Sequence, residues 1–205
     1  MPRQRRIGLT GGIASGKSSV GHWLASQGIP VLDADLYAQE ALAPDTEASR
    51  AVLNRYGNKV STQSNNKRIE AINRSALASI VFADKKERDW LENLLHPLVR
   101  KRFDIELLKA KHEPVVVLII PLLFETGWQN MCTETWVVTC SLTQQRQRLM
   151  TRNSLELEEA DQRINAQWQL DGKCLLADQV INNSEAETDW IPQVSALLKS
   201  PTHNV

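Results

Sequence analysis

The sequence has few cysteines, no excess of either charge and no long apolar run. Its three cysteines, Cys132, Cys140 and Cys174, are odd in number and form no C-x-x-C pair, a usage that a reducing, intracellular setting fits best. Basic and acidic residues number 24 each, so no overall basic field indicates nucleic acid as a partner. The longest apolar run, 115–124, is interrupted by Pro121 and is too short to span a bilayer. We therefore expect a soluble, cytoplasmic protein that binds neither nucleic acid nor membrane.

Glycine is also scarce, yet four of the nine glycines lie within residues 8–16. Residues Gly11–Ser18 read GGIASGKS, a complete G-x-x-x-x-G-K-[ST] pattern. The run Arg6–Thr10 before the pattern predicts a buried strand, and apolar residues at helical spacing follow it from Val20. A glycine-rich loop between strand and helix lets consecutive N–H groups and the helix N-terminus surround an anion. The stretch predicts a nucleotide phosphate-binding loop rather than a turn that binds nothing.

The residue types of this loop predict individual roles. Lys17 can reach the β- and γ-phosphates of a nucleotide, and the Ser18 hydroxyl can ligate Mg²⁺. The predicted nucleotide-binding residues are Gly11, Gly12, Ile13, Ala14, Ser15, Gly16, Lys17, Ser18 and Ser19. Thr10, directly before the loop, is included among the candidates for binding the second substrate.

Two carboxylates follow the second predicted strand, 30–33. In a parallel α/β sheet, ligands bind beyond the carboxyl ends of the strands, which places Asp33 and Asp35 on the same edge as the phosphate loop. These groups could bind metal, cap a helix or accept a proton from a substrate hydroxyl. Asp35 has an equally good interpretation as the N-cap of a helix that starts at Leu36.

Residues 44–111 predict helices throughout, without a strand. Val60–Lys67 is polar and predicts an exposed loop, while Pro97 is expected to open a new helix. His96 would then lie at a helix–helix junction, where a histidine is commonly a structural cap. A strand-free insertion of this length in an α/β chain indicates a helical substrate-binding lobe.

The unbroken apolar run 115–120 predicts a central strand buried on both faces. Many phosphate-loop enzymes carry a Walker-B aspartate at such a strand end, whereas this chain has no acidic residue there until Glu125. Magnesium must then rely mainly on Ser18, phosphate oxygens and water, with Asp33 as a further candidate.

The segment 142–168 predicts an arginine-bearing helical hairpin. Arg148 and Arg152 are i, i+4 neighbours on the first helix. The second helix is expected to have Asn153 or Ser154 as its cap, and its predicted buried stripe is Leu157, Ala160, Ile164 and Trp168. The arginines could close over a triphosphate and neutralise charge that develops during transfer, or they could pair with the nearby glutamates.

Five segments, taken together and in this order, resemble the dephospho-coenzyme A kinase family. They are Ile7–Ser18, Val31–Asp35, Leu95–Leu98, Pro121–Glu125 and Ala177–Ile181. The phosphate loop alone is shared by very many enzymes, but the five together are specific. The resemblance covers nearly the whole chain.

The resemblance implies transfer of the ATP γ-phosphoryl group to the ribose 3′-hydroxyl of dephospho-coenzyme A, the last step of coenzyme A synthesis. By position it implies that Asp33 takes the proton of that hydroxyl, that Arg148 and Arg152 are lid arginines, and that His96 lies in the acceptor-binding region. The catalytic candidates are Asp33, Lys17, Arg148 and Arg152. The candidates for binding the acceptor are Thr10, Asp33, Asp35, His96, Pro121, Leu122 and Glu125, and Ser18 is the metal candidate.

The expected fold is α/β, a three-layer P-loop NTPase fold with a parallel sheet, an inserted helical substrate lobe and a helical lid. We expect one kinase domain over 1–205, with its nucleotide core at about 1–35, 112–141 and 173–205. The acceptor-binding insertion is expected at about 36–111 and the lid at about 142–172. ATP, Mg²⁺ and dephospho-coenzyme A are the expected ligands, and a monomer is favoured.

Two positions depart from the family pattern. The family often has Arg-Asp where this chain has Arg152-Asn153, and Ile-Asp-Asn where it has Ile181-Asn182-Asn183. The charge of those two acids is absent, but asparagine can still cap a helix or hold a turn, so the geometry is expected to survive.

Two other functions remain open from the residues alone. A nucleoside or nucleotide kinase would use the same core and lid with a different acceptor. A nucleotide-dependent switch would need an N-K-x-D segment to read guanine, and the nearest string, Asn66–Ile69, lacks the acid.

Overall fold

The computed structural model describes residues 4–62, 71–184 and 188–200. The Asn66–Ile69 string, and the predicted loop Val60–Lys67 from residue 63 onward, lie outside these ranges. The strands are β1 (Arg5–Gly11), β2 (Val31–Asp33), β3 (Ser61–Thr62), β4 (Ala71–Ile72), β5 (Val115–Ile119), β6 (Glu134–Thr139) and β7 (Gln179–Asn182). The α-helices are α1 (Lys17–Ser26), α2 (Ala34–Ala41), α3 (Glu47–Tyr56), α4 (Arg74–Ala83), α5 (Lys85–Lys109), α6 (Leu142–Asn153), α7 (Leu157–Asn165), α8 (Leu170–Leu176) and α9 (Trp190–Lys199).

Five strands form one parallel sheet in the order β2-β5-β1-β6-β7, which confirms the expected α/β class. The central strands are apolar because both of their faces are covered. In the register, Ile119 of β5 is the partner of both Leu9 in β1 and Asp33 in β2. The phosphate-loop segment after β1 and the carboxylate at the end of β2 therefore leave the sheet at the same edge.

The chain divides into two compact units, and each has a hydrophobic core of its own. One contains the described residues up to Asp33 and from Leu107 onward, and the other contains those from Ala34 to Glu106. In the first unit, buried side chains of the sheet pack with α1 and α9, and the rings of Trp23 and Trp190 meet edge to face at 6.1 Å. In the part of the chain that the structure describes, no helix has the length and apolar character that crossing a bilayer requires.

The unit from Ala34 to Glu106 differs from its prediction in two ways. It contains a two-stranded antiparallel sheet of β3 and β4, so the expectation of a strand-free insertion is wrong. These strands have two residues each, too short for an alternating pattern to show in the sequence. Val60, predicted to begin an exposed loop, is fully buried in this unit's core.

Pro97 does not open a helix but lies inside α5, which is continuous over 25 residues. Proline removes one backbone donor and usually kinks or ends a helix, which is why the sequence favoured a break. The apolar residues Leu95, Val99 and Phe103 continue on one buried side across the proline. Their packing keeps the helix intact, and the predicted helix–helix junction at His96 is wrong.

The hairpin of α6 and α7 also differs in detail. The N-cap of α7 is Glu156, within a reciprocal capping box with Glu159, rather than Asn153 or Ser154. Ser154 instead ends α6 in the left-handed conformation, with φ of 51°. In the predicted buried stripe, Ala160 and Ile164 are buried, whereas Leu157 at 50% and Trp168 at 51% are exposed. Trp168 lies beyond the last residue of α7, where helical periodicity no longer applies.

Candidate active site

The segment between β1 and α1 has the backbone geometry of a phosphate cradle. Gly11 and Gly16 have φ of 150° and 102°, values that side chains rarely allow, and Ala14 has φ of 57°. Gly16 is the N-cap of α1 and offers no side chain to the first-turn N–H groups. Those N–H groups and the positive end of the helix therefore face the loop, as an anion site requires.

Lys17 folds back onto this loop. Its Nζ donates to the carbonyl oxygens of Gly11 at 3.0 Å and Gly12 at 2.7 Å. These bonds hold the ammonium group beside the cradle. The neighbouring Ser18 and Ser19 are exposed in the first turn of α1.

Gln145 of α6 supports the phosphate loop by a hydrogen bond to its backbone, and the sequence reasoning missed this residue. Its Nε2 donates to the carbonyl oxygen of Ile13 at 2.8 Å, and the residue is only 4% exposed. A Cβ on Gly12 would collide with this amide, so a larger residue there would displace Gln145 from the loop. The sequence did contain one indication of a buried role for Gln145. It is a polar residue three positions after Leu142 and four before Leu149, which places it on the apolar stripe of α6.

Asn183 supports the other end of the loop. Its buried Nδ2 donates to the carbonyl oxygen of Ser15 at 2.8 Å. A Cβ on Gly16 would collide with this amide too. Asn182, where the family often has aspartate, accepts through Oδ1 from the N–H of Ser184 at 3.0 Å and so holds the turn after β7 without a charge.

The carboxylates at the β2 end occupy different settings. Asp33 is the last residue of β2 and is partly buried at the edge where β1 delivers the phosphate loop. The helix α2 begins at Ala34, so Asp35 is an exposed first-turn residue and not the N-cap that the sequence allowed. A first-turn acid still favours the helix through its dipole.

His96 lies in the middle of α5 and is half-buried. Burial lowers the pKa of its imidazole below the ordinary value, against a smaller opposing effect of Glu92. The lowered pKa favours the neutral ring, which can both donate and accept a hydrogen bond.

The segment after β5 is held by Thr10 and by a lysine that the sequence reasoning did not single out. The carbonyl oxygen of Pro121 accepts from Thr10 Oγ1 at 3.1 Å and from Lys173 Nζ at 3.0 Å. Glu125 Oε1 accepts from Lys173 Nζ at 2.7 Å and from the N–H of Trp168 at 3.2 Å. In the following turn, the carbonyl oxygen of Leu122 accepts hydrogen bonds from the N–H and the hydroxyl of Thr126.

The two lid candidates are placed differently. Arg148 Nη2 donates to the carbonyl oxygen of Asn183 at 3.1 Å, while its Nη1 is buried and makes no hydrogen bond within the described ranges. A buried guanidinium donor without an acceptor is costly unless an anion binds there. Arg152 is exposed, and its Nε donates to Asn153 Oδ1 at 3.0 Å. The pairing with a nearby acid that was considered for these arginines is found for Arg146, which binds Asp161 through two bonds.

A cavity of about 250 Å³ lies between the phosphate loop and the α6–α7 hairpin. Gly12, Ile13, Gln145 and Gln167 are among its lining residues, and Gln167 Oε1 is buried without a hydrogen bond to any described residue. Ile13 also packs on the small core of the hairpin. The loop and the hairpin are therefore one packed assembly.

The cradle lies at the sheet edge where β2 and β5 also end. Phosphoryl transfer needs mainly positioning and stabilisation of charge from the protein, which the loop, Lys17 and Arg148 can supply. The fold and the site together define a P-loop kinase, an enzyme that moves a phosphoryl group from a nucleotide to a small acceptor.

Comparison with known proteins places the chain within one family of such kinases. A model of the family "Dephospho-CoA kinase" matches residues 5–189. A dephospho-CoA kinase of Synechococcus sp. (strain CC9902) is 55% identical over 197 residues, 96% of this chain and 97% of that protein. The chain therefore belongs to the dephospho-CoA kinase family.

The chain is also similar to solved structures over nearly its whole length. A structure from Thermus thermophilus is 35% identical and has a TM-score of 0.76 over 96% of this chain and 97% of its own. A dephospho-CoA kinase from Campylobacter jejuni is 26% identical, with a TM-score of 0.66 over 95% of each chain.

Proposed function

We propose that this protein transfers the γ-phosphoryl group of ATP to the ribose 3′-hydroxyl of dephospho-CoA, with Asp33 as the base that takes the hydroxyl proton. Family membership supports the donor, the acceptor and the overall reaction. The observation that carries the base assignment is the register of β2, β5 and β1, which brings Asp33 and the phosphate loop to one sheet edge.

On the donor side, the loop N–H groups and Lys17 hold the phosphates of ATP. The donor set fits Mg²⁺, which prefers oxygen ligands: the Ser18 hydroxyl is exposed in the first turn of α1, and phosphate oxygens and water would complete the shell. Bound there, the ion would neutralise charge on the β- and γ-phosphates. Arg148, with its unsatisfied Nη1, and Arg152 are the proposed lid arginines that stabilise charge on the transferred group.

On the acceptor side, Asp33 orients the 3′-hydroxyl and accepts its proton as the oxygen attacks phosphorus. The residues proposed to bind the rest of the acceptor are Thr10, Asp35, His96, Pro121, Leu122 and Glu125. We further propose that 36–111 is the acceptor-binding insertion and 142–172 the lid of a single kinase domain. A monomer working in the cytoplasm is the proposed state of the enzyme.

Replacing Asp33 with asparagine tests the base assignment. We expect Asp33→Asn to bind ATP normally and to lose roughly 10²–10⁴-fold in kcat, since an amide cannot take the proton. The measurement is ADP release with dephospho-CoA as acceptor, alongside ATP binding by calorimetry. Glu113→Gln, an exposed carboxylate-to-amide change outside the proposed insertion and lid, is the matched control and should turn over normally.

Near-normal turnover of Asp33→Asn would show that another group takes the proton. The same ADP assay is run with nucleosides and nucleoside monophosphates. ADP release that requires dephospho-CoA supports the proposed acceptor, and equal release with a nucleoside contradicts it.

A further inference from the structure

Among the residues that the structure describes, Lys173 is the only lysine or arginine that is fully buried. It belongs to α8, and its side chain is 0% exposed. A buried ammonium group is costly unless it is paired and its donors are satisfied. The buried ammonium group of Lys173 must therefore be stabilised by the groups that it contacts.

The Nζ of Lys173 joins two points of the segment that follows β5. It lies 2.7 Å from Glu125 Oε1 and donates to the carbonyl oxygen of Pro121 at 3.0 Å. The same Glu125 oxygen accepts from the N–H of Trp168, at 3.2 Å. Glu125 Oε1 is thus engaged by two donors, and the carboxylate cannot rotate without breaking both bonds.

The second oxygen of Glu125 is left open. Oε2 is buried, and it has no hydrogen-bond partner among the residues that the structure describes. An acceptor of this kind costs free energy until a donor reaches it. An ionised carboxylate accepts only, so the missing group is an O–H or N–H donor.

The position of the segment indicates where that donor comes from. In the sheet, β5 lies between β1, which leads to the phosphate loop, and β2, which ends at Asp33. The residues after β5 therefore leave the sheet between the proposed donor and acceptor sides. Stability alone does not explain a buried ion pair at this position, because a protein with apolar side chains of similar volume in its place is often as stable.

We propose that Lys173 is a positioning residue that fixes Glu125, so that Glu125 Oε2 accepts a hydrogen bond from a hydroxyl or N–H group of dephospho-CoA. The inference rests on the proposed function, which places Glu125 among the acceptor-binding residues. Lys173 itself touches no substrate and acts through Glu125 alone.

The test compares Lys173→Met, Lys173→Arg and Glu125→Gln by steady-state kinetics in both substrates. We expect Lys173→Met and Glu125→Gln each to raise the KM for dephospho-CoA roughly 10- to 100-fold, the effect of losing a hydrogen bond to a charged group. The KM for ATP should stay within about twofold of the wild-type value, since the charged hydrogen bond lost is not to ATP. Lys173→Arg should restore most of the affinity, and the double variant Lys173→Met/Glu125→Gln should be no worse than either single variant.

Lys199→Met, an exposed change at the end of α9, is the matched control and should behave as wild type. Thermal unfolding checks that each variant is folded, and if Lys173→Met does not fold, Lys173→Arg and Glu125→Gln still decide the question. A folded Lys173→Met with an unchanged KM for dephospho-CoA would overturn the inference. Equal increases in the KM for ATP and the KM for dephospho-CoA would also overturn it, as would additive effects of Lys173→Met and Glu125→Gln in the double variant. A higher Mg²⁺ requirement without a change in KM would overturn it too, because the donor to Glu125 would then be a metal-bound water.

Calorimetric binding of dephospho-CoA to the wild-type protein keeps the two proposals separate. If the wild type binds and phosphorylates dephospho-CoA while the variants keep their KM, only the role of Lys173 fails. If the wild type phosphorylates no 3′-hydroxyl, the proposed function fails, and the role of Lys173 toward that acceptor fails with it.

Discussion

At the scale of single residues, the phosphate loop depends on two buried side-chain amides that contact its backbone. Gln145 and Asn183 donate to loop carbonyls at 2.8 Å each. They can approach so closely only because Gly12 and Gly16 have no Cβ. The glycines of the pattern therefore make room for the side chains that support the loop, as well as for the ligand that the loop binds.

Gly16→Ala should disrupt both functions. The alanine would have to adopt φ of 102° and displace the Asn183 amide from Ser15. We expect a loss of about 1–3 kcal/mol in the free energy of unfolding, the usual cost of a strained backbone position, together with weaker ATP binding. Urea unfolding and calorimetric titration with ATP measure the two effects.

Gly172→Ala is the matched control for that substitution. Gly172 lies within α8, and a Cβ there would meet nothing within 4 Å. The change should be neutral or stabilise by up to about 1 kcal/mol through helix propensity. Equal effects of the two substitutions would contradict the proposed reason for glycine at position 16.

At the scale of elements, the end of α3 is tied to the start of α5 by one carboxylate. Glu87 accepts from Arg55 at 2.7 and 2.9 Å and from the Tyr56 hydroxyl at 2.6 Å. The Arg55 guanidinium also lies 4.5 Å from the ring of Trp90. First the bond from Arg55 and then that from Tyr56 lower the pKa of Glu87 from 4.5 to about 2.

This pKa shift predicts a pH dependence of stability. A carboxyl group whose pKa is lower in the folded state stabilises the fold fully above pH 4.5, and that contribution is lost as the pH falls toward 2. The stability difference between wild type and Glu87→Gln should therefore be largest above pH 4.5 and shrink below it. Thermal unfolding between pH 7 and pH 3, with the exposed variant Glu113→Gln as the charge control, measures it. A difference that is independent of pH would show that Glu87 acts through packing alone.

Elements were predictable where local pattern and tertiary packing agree. The strand–loop–helix around Gly11–Ser18 follows from apolar periodicity and glycine content alone, and the structure has it. The break at Pro97 and the cap of α7 were wrong, because packing of α5 outweighs the local effect of proline and because Glu156 and Glu159 cap each other. Two-residue strands carry no period at all.

The supports of the candidate site were harder to predict than its loop. The partners of Gln145 and Lys173 lie 132 and 52 residues away in the chain. A single sequence does not reveal such pairings, because they arise only when the sheet has formed. A sequence motif therefore reveals the loop residues, which are neighbours in the chain, whereas the residues that support the loop are found only from hydrogen bonds in the folded structure.

At the scale of the whole molecule, the two compact units suggest separate responses to the two substrates. The phosphate loop belongs to the unit with the parallel sheet, while α3 and α4 belong to the unit from Ala34 to Glu106, with its own core. A ligand stabilises the structure that binds it, by about 2.7 kcal/mol at a concentration 100 times its Kd. ATP should therefore protect the unit with the parallel sheet, whereas dephospho-CoA should add protection in the unit from Ala34 to Glu106.

Hydrogen exchange followed by mass spectrometry can detect this division. With a non-hydrolysable ATP analogue alone, we expect slower exchange in β1, α1 and β6, and little change in α3 and α4. Adding dephospho-CoA should then slow exchange in α3, α4 and α5, because the insertion is proposed to bind the acceptor. Lys17→Ala is the control that should abolish the first effect, since it weakens binding of the analogue. If the analogue alone protects both units equally, they unfold as one cooperative body, and the exchange data would not support the proposed binding of the acceptor by the insertion.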